Sequence, residues 1–120
     1  MKIIENLKKH VNKDSQIISR GKWVNVKFVL NVDTSDFIID IKNGRINSIQ
    51  LRKVDTESGE FKISSSLNNW KKHWLKIPPR DYHDLFAMLS KKLIKIDGNI
   101  IPFMQNLQYF KDLIASNRSK

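Results

Sequence analysis

His10, His73 and His83 are the only imidazoles, and the chain contains no cysteine. His73 and His83 flank Pro78-Pro79, with Asp81 and Asp84 close by. Brought together across that loop, these four could bind a metal or form an acid–base pair. Their spacing matches no ligand pattern such as HxxxH, and the simpler expectation is that both imidazoles lie on polar helix faces beside charged neighbours. Ser64, Ser65 and Ser66 lack the flanking glycines that would expose a nucleophile on a tight turn. Asn43-Gly44 and Asp97-Gly98-Asn99 are turn signals, and no GxxxxGK[ST] or GxGxxG is present to cradle a phosphate. Without cysteine there is no disulfide, thiolate metal site or thiol nucleophile, which fits a reducing, cytoplasmic compartment. The residues predict neither enzyme activity, nor a bound metal, nor a cofactor.

The positive signal is apolar. Trp70 and Trp74 share a helix face at i, i+4, Phe86 and Met88 lie on the following segment, and Phe103 and Met104 on the last. Aromatic rings supply large contact area and methionine adapts to irregular apolar shapes. Such residues build either a filled core or a pocket, and periodicity does not separate the two.

The elements that would position them form a helix, four strands, two helices, a short strand and a final helical region. Ile3, Ile4, Leu7 and Val11 recur at helical spacing over 3–11, and 12–21 reads as a connector with a further turn near Ile17 and Ile18. From Trp23 the period becomes two, with Val24, Val26, Phe28, Leu30 and Val32 on one face. Phe37, Ile39 and Ile41 mark a second strand, and Asn43-Gly44 is a strong hairpin signal. In the third strand, 45–53, Ile46 is out of phase with Ile49 and Leu51, which predicts a bulge or register change. A turn at 56–59 leads to a fourth strand at 60–65, and the four strands read as an antiparallel meander. The serines at 64–66 can cap a helix carrying Leu67, Trp70, Trp74 and Leu75, which must stop before Pro78. Asp81 is the expected cap of the next helix, with Asp84 in its first turn and Tyr82, Leu85, Phe86 and Leu89 inward. Leu93–Ile96 is strand-like, and Asn99 can cap a final helix with Phe103, Leu107, Phe110 and Ile114 inward and 117–120 frayed. The fold class is α+β: one mostly antiparallel five-stranded sheet with helices on one face. The expectation is one domain over 1–120, divided into a helix and connector (1–21), the meander (22–65), and helices with the fifth strand (66–120).

The 22 basic and 12 acidic residues give a formal charge of +10. Basic residues occur in scattered pairs rather than in a stripe interleaved with exposed aromatics, so nucleic-acid binding is the weaker reading and a generally basic solvated surface the simpler one. No apolar run is long enough to span a membrane, and the first ten residues contain no signal-peptide core.

From Phe37 onward, and most sharply over 70–113, the sequence resembles the sterol carrier protein type-2 family, especially its small stand-alone bacterial members. The residues carrying the likeness are Trp74, Pro78-Pro79, Tyr82, Asp84-Leu85-Phe86-Ala87-Met88, Leu93 to Gly98, Pro102-Phe103-Met104, Asn106-Leu107-Gln108-Tyr109 and Lys111-Asp112-Leu113. The hairpin at Asn43-Gly44 fits the same pattern. Arg80 departs from it where a third proline or small residue is common, as does Asn99 where the turn usually reads Gly-Asp. The resemblance implies an apolar tunnel between sheet and helices that holds a sterol, fatty acyl chain or other lipid without transforming it, and requires no cofactor. Phe28, Phe37, Ile39, Trp70, Trp74, Phe86, Met88, Phe103, Met104 and Leu107 are then the candidate ligand-binding residues. An empty apolar cavity costs roughly 24 cal/mol per Å3. A tunnel of about 300 Å3 would therefore cost on the order of 7 kcal/mol, comparable to a small domain's whole stability. Any tunnel is expected to be small, collapsible or occupied. Lys71, Lys72, Arg80, Lys91 and Lys92 could meet an anionic membrane surface during loading. The alternative is an accessory module with a filled core that docks a partner enzyme.

Overall fold

The computed structural model describes residues 2–53 and 59–118. Helix α1 spans Lys2–Lys13 and buries Ile4, Leu7 and Val11. The expected connector contains a second helix, α2 (Ser15–Arg20), because Asp14 accepts from the Gln16 and Ile17 amides and caps it.

Strands β1 (Asn25–Val32), β2 (Ser35–Lys42) and β3 (Arg45–Leu51) form antiparallel hairpins. Asn43 and Gly44 both have positive φ, as a primed turn requires. The register of β2 against β3 shifts after Asp40, so that Ile41 meets Ile46 while Asp40 meets Ser48. This shift brings Ile46 into the core although it is out of phase with Ile49.

The fourth strand departs from the meander. β4 (Phe61–Ser65) skips β3 and pairs parallel with β1, Leu30 lying opposite Ile63. β5 (Lys95–Gly98) closes the far edge antiparallel to β4, giving the order β3-β2-β1-β4-β5. The sheet is therefore mixed but mostly antiparallel. Apolar alternation alone does not distinguish a strand that continues a meander from one that returns beside β1. The expected turn at 56–59 lies mostly outside the described residues.

Ser66 caps α3 (Leu67–His73), its hydroxyl accepting from the Asn69 amide. The helix ends at His73, before the proline pair, and leaves Leu75 half exposed. Asp84, not Asp81, caps α4 (Leu85–Ser90). Asp81 sits instead at positive φ in the preceding loop. With the helix starting at Leu85, its inward pair is Leu85 and Met88, and Leu89 turns to solvent. The last helical region breaks at Asn106 into α5 (Ile101–Gln105) and α6 (Leu107–Ala115). Asn99 accepts from the Ile101 amide, although Ile100 occupies the cap position. The end of the chain is held as far as residue 118. Asn117 donates to the Ile3 carbonyl, and His10 is 2.8 Å from its side-chain oxygen.

The core lies between the helices and the sheet face carrying Phe28, Leu30, Val32, Phe37, Ile39, Ile41, Phe61 and Ile63. On the opposite face Asp36 accepts from Asn31, Arg52 and Lys62, drawing β1 to β4 together electrostatically.

Candidate functional site

Strand alternation and helix phase bring seven of the ten candidate residues inside. Phe28, Ile39, Trp70 and Met88 are fully buried, and Phe37, Trp74 and Phe103 nearly so. Phe86 and Leu107 are half-buried. Met104 is 49% exposed and lies outside the layer, because the short α5 turns only Phe103 inward.

The interior is a packed set of rings. Phe28 stacks on Phe61 with centroids 5.2 Å apart, and Phe110 meets both edge-on at 5.5 and 5.2 Å. Phe103 seals the group, 5.5 Å from Phe61 and 5.8 Å from Phe110. Trp70 and Trp74 stack at 5.7 Å, and each indole N–H is satisfied: Trp70 donates to the Asn31 carbonyl, Trp74 to that of Ile114. The geometry places apolar surface from three strands and four helices in one layer and fills that layer with side chains.

Three members of this group were not among the sequence candidates. Phe61 opens β4, where its alternation with Ile63 over five residues marked an inward face but not what that face meets. Phe110 lay on the predicted stripe of the last helix without a sign of its ring partners. Tyr109 buries its ring against Gly21 and donates its hydroxyl to the Gly44 carbonyl at 2.7 Å. Burial raises its pKa.

His73 also differs from expectation. It is 1% exposed rather than on a polar helix face, and its ring lies edge-on to Trp70. Burial, aided by the charge of Arg118, lowers its pKa to about 4 against the opposing pull of the Tyr82 carbonyl. Arg118 donates to the carbonyls of His73 and His83, pinning the α3–α4 loop to the end of α6. Asp84 does not complete an acid–base pair. Burial pushes its pKa up, but a hydrogen bond and ion pair with Lys111 and the amides of Ala87 and Phe86 outweigh this and hold it low. No cluster of three metal-ligating side chains occurs among the described residues.

Two open clefts lie elsewhere. One of about 1200 Å3 runs between α1, α2 and the end of α6, with His10, Lys13, Arg20, Asp112 and Arg118 in its walls. The other, of about 530 Å3, lies beside Lys27, Asp40, Lys42 and Glu60. Neither is lined by any of the ten candidates.

No helix among the described residues is long and apolar enough to cross a membrane. No family model matches the sequence, and no curated protein matches it. Solved structures do match the fold. A crystal structure of sterol carrier protein 2 aligns over 98% of this chain and 95% of its own, at 13% identity and a TM-score of 0.77. A ubiquinone synthesis protein described as UbiJ-SCP2 aligns over 92% of this chain and 84% of its own, at 12% identity and a TM-score of 0.61. The sec-alkylsulfatase Pisa1 from Pseudomonas sp. aligns over 86% of this chain but 14% of its own, at 10% identity and a TM-score of 0.56. The mixed, mostly antiparallel five-stranded sheet with helices over one face is thus the sterol carrier protein 2 fold.

Proposed function

We propose that the protein binds an apolar, lipid-like ligand between its sheet and its helices and carries out no chemistry on it, acting in the cytoplasm. The observation that carries this reading is the wholly apolar layer built from Phe28, Phe61, Trp70, Met88, Phe103 and Phe110, in a fold shared with a structure named for sterol carriage. The layer is closed, so a ligand must part it. The element suited to move is α5: five residues long, with an apolar residue, Ile100, at its cap position, broken from α6 at Asn106, and anchored through Phe103. Opening α5 would exchange Phe103's contacts with Phe61 and Phe110 for contacts with a ligand, and would spare the protein an empty tunnel.

Native mass spectrometry of freshly purified protein, with solvent extraction of the same sample, tests this. A reproducible added mass of a fatty acid, sterol-like or phospholipid species is expected. Bare protein, both as purified and after incubation with fatty acids and sterols, would exclude the reading.

The filled layer and the sulfatase alignment support a second reading, an accessory module that docks an enzyme through its surface. The sulfatase match covers a small part of a much longer chain. A stable complex with an enzyme encoded beside this gene, formed by protein with no bound lipid, would favour it.

A further inference from the structure

Trp23 is 83% exposed, whereas Trp70 and Trp74 are buried. An indole held in water forgoes one of the largest burial gains available to a side chain. Its backbone is nonetheless fixed: Val24 donates to the Gly21 carbonyl, Gly44 donates to that of Val24, and Asn25 donates from its side chain to that of Trp23. These bonds hold the Trp23 backbone beside the β2–β3 hairpin, which carries the exposed Lys42 and Arg45, and the Lys22 ammonium lies 5.4 Å from the ring centroid. Among the described residues these three cations have no ion-pair partner. The two segments meeting here, 15–32 and 41–53, contain no Asp or Glu. Asp40 and Glu60 line the neighbouring cleft with Lys42 without forming an ion pair with it, and Asp112 is taken by Arg20.

We propose that this corner, where an exposed Trp23 with Lys22 over its ring lies beside the β2–β3 turn carrying Lys42 and Arg45, docks the protein on an anionic phospholipid bilayer. Indole rings partition to the headgroup level of a bilayer, with apolar body and polar N–H both satisfied. Lysine and arginine stems reach past such a ring to lipid phosphates. A second copy of the chain is a poor occupant, because it would set three unpaired cations against three. The purpose of docking, delivery or collection of an apolar ligand, rests on the reading above; the docking itself does not.

The test uses tryptophan emission, to which Trp23 is the solvent-exposed contributor. With phosphatidylglycerol–phosphatidylcholine vesicles, the emission should shift to the blue and become shielded from iodide. Lipids brominated near the headgroup should quench it. Phosphatidylcholine vesicles alone should do neither. Trp23→Phe should remove the quenchable component. In co-sedimentation, Trp23→Ser should weaken binding about tenfold, and Lys22→Gln and Arg45→Gln about fivefold each at low salt. Circular dichroism should show all of these variants folded, since the side chains are exposed. Absence of binding to anionic vesicles would overturn the proposal. So would binding that survives Trp23→Ser, or that is lost instead in Ile77→Ser on the exposed α3–α4 loop. Shielding of Trp23 by single-stranded oligonucleotides but not by vesicles would assign the corner to nucleic acid. Native mass spectrometry reports the interior ligand independently, so either idea can fail alone.

Discussion

His73 Nδ1 lies 2.7 Å from the Tyr82 carbonyl oxygen. Two acceptors do not approach so closely, so Nδ1 carries the proton and donates, and Nε2 is left with a bare lone pair. Nε2 is buried with no hydrogen-bond partner among the described residues. The imidazole joins the end of α3 to the start of the α4 cap as a neutral group.

Acid should therefore destabilise the fold through His73. Its pKa falls from 6.5 to about 4 on folding. Below 6.5 the unfolded chain takes up a proton that the folded chain refuses, so the contribution is whole above pH 6.5 and is lost as pH falls toward 4. The loss is on the order of 3 kcal/mol. Urea unfolding at several pH values should show stability rising with pH through this window, and His73→Asn should flatten the rise.

Tyr109 should be as important to the fold as its neighbours in the ring cluster. Tyr109→Phe leaves the Gly44 carbonyl without its buried donor and should cost about 1–3 kcal/mol. Gly21→Ala should cost a similar amount, about 1–3 kcal/mol, because a Cβ there would run into the Tyr109 ring. Because both changes act on one ring, their costs should fail to add in a double-mutant cycle measured by chemical denaturation.

Phe61 and Met104 provide a contrast within the apolar set. Phe61→Ala removes the ring shared by Phe28, Phe103 and Phe110 and should cost about 3–5 kcal/mol. Met104→Ala, at a half-exposed position, should stay within about 0.5 kcal/mol. Thermal unfolding of the two variants distinguishes a packed layer from one in which all apolar residues contribute alike.

Asp84 combines a helix cap with an ion pair, 2.8 Å from Lys111 Nζ. Asp84→Asn keeps a capping oxygen and should cost less than 1 kcal/mol, with the loss shrinking as salt is added. Asp84→Ala removes both and should cost about 1–2 kcal/mol, of which the cap's share persists at high salt. Denaturation at low and high ionic strength separates the two.

The sequence made much of this fold legible because its local signals are strong. Alternation from Val24 to Val32 marked β1, Asn43-Gly44 marked the first tight hairpin, and the misplaced Ile46 marked the register shift. What escaped it was set by distance. Parallel pairing of β4 with β1 leaves no local trace, since Ile63 is apolar and inward beside either neighbour. His73 and Arg118 are brought together by the tertiary fold, so their charges in sequence suggested solvent. Helix phase pointed Phe103 inward correctly, but it could not show that α5 is too short to carry Met104 with it. For the candidate site the periodicity located apolar faces; whether rings or a ligand fill them depends on contacts across the layer.

The parallel seam between β1 and β4 also orders the assembly of the protein in time. β1, β2 and β3 can zip through two neighbouring hairpins, a search confined to short loops. β4 reaches the open side of β1 from the far end of that ribbon, a pairing of high sequence separation, and the ring cluster is complete only with β4 in place. Until that late step Phe28 and Leu30 stand uncovered, and nascent chains are most open to apolar company while the second half of the sheet is still arriving.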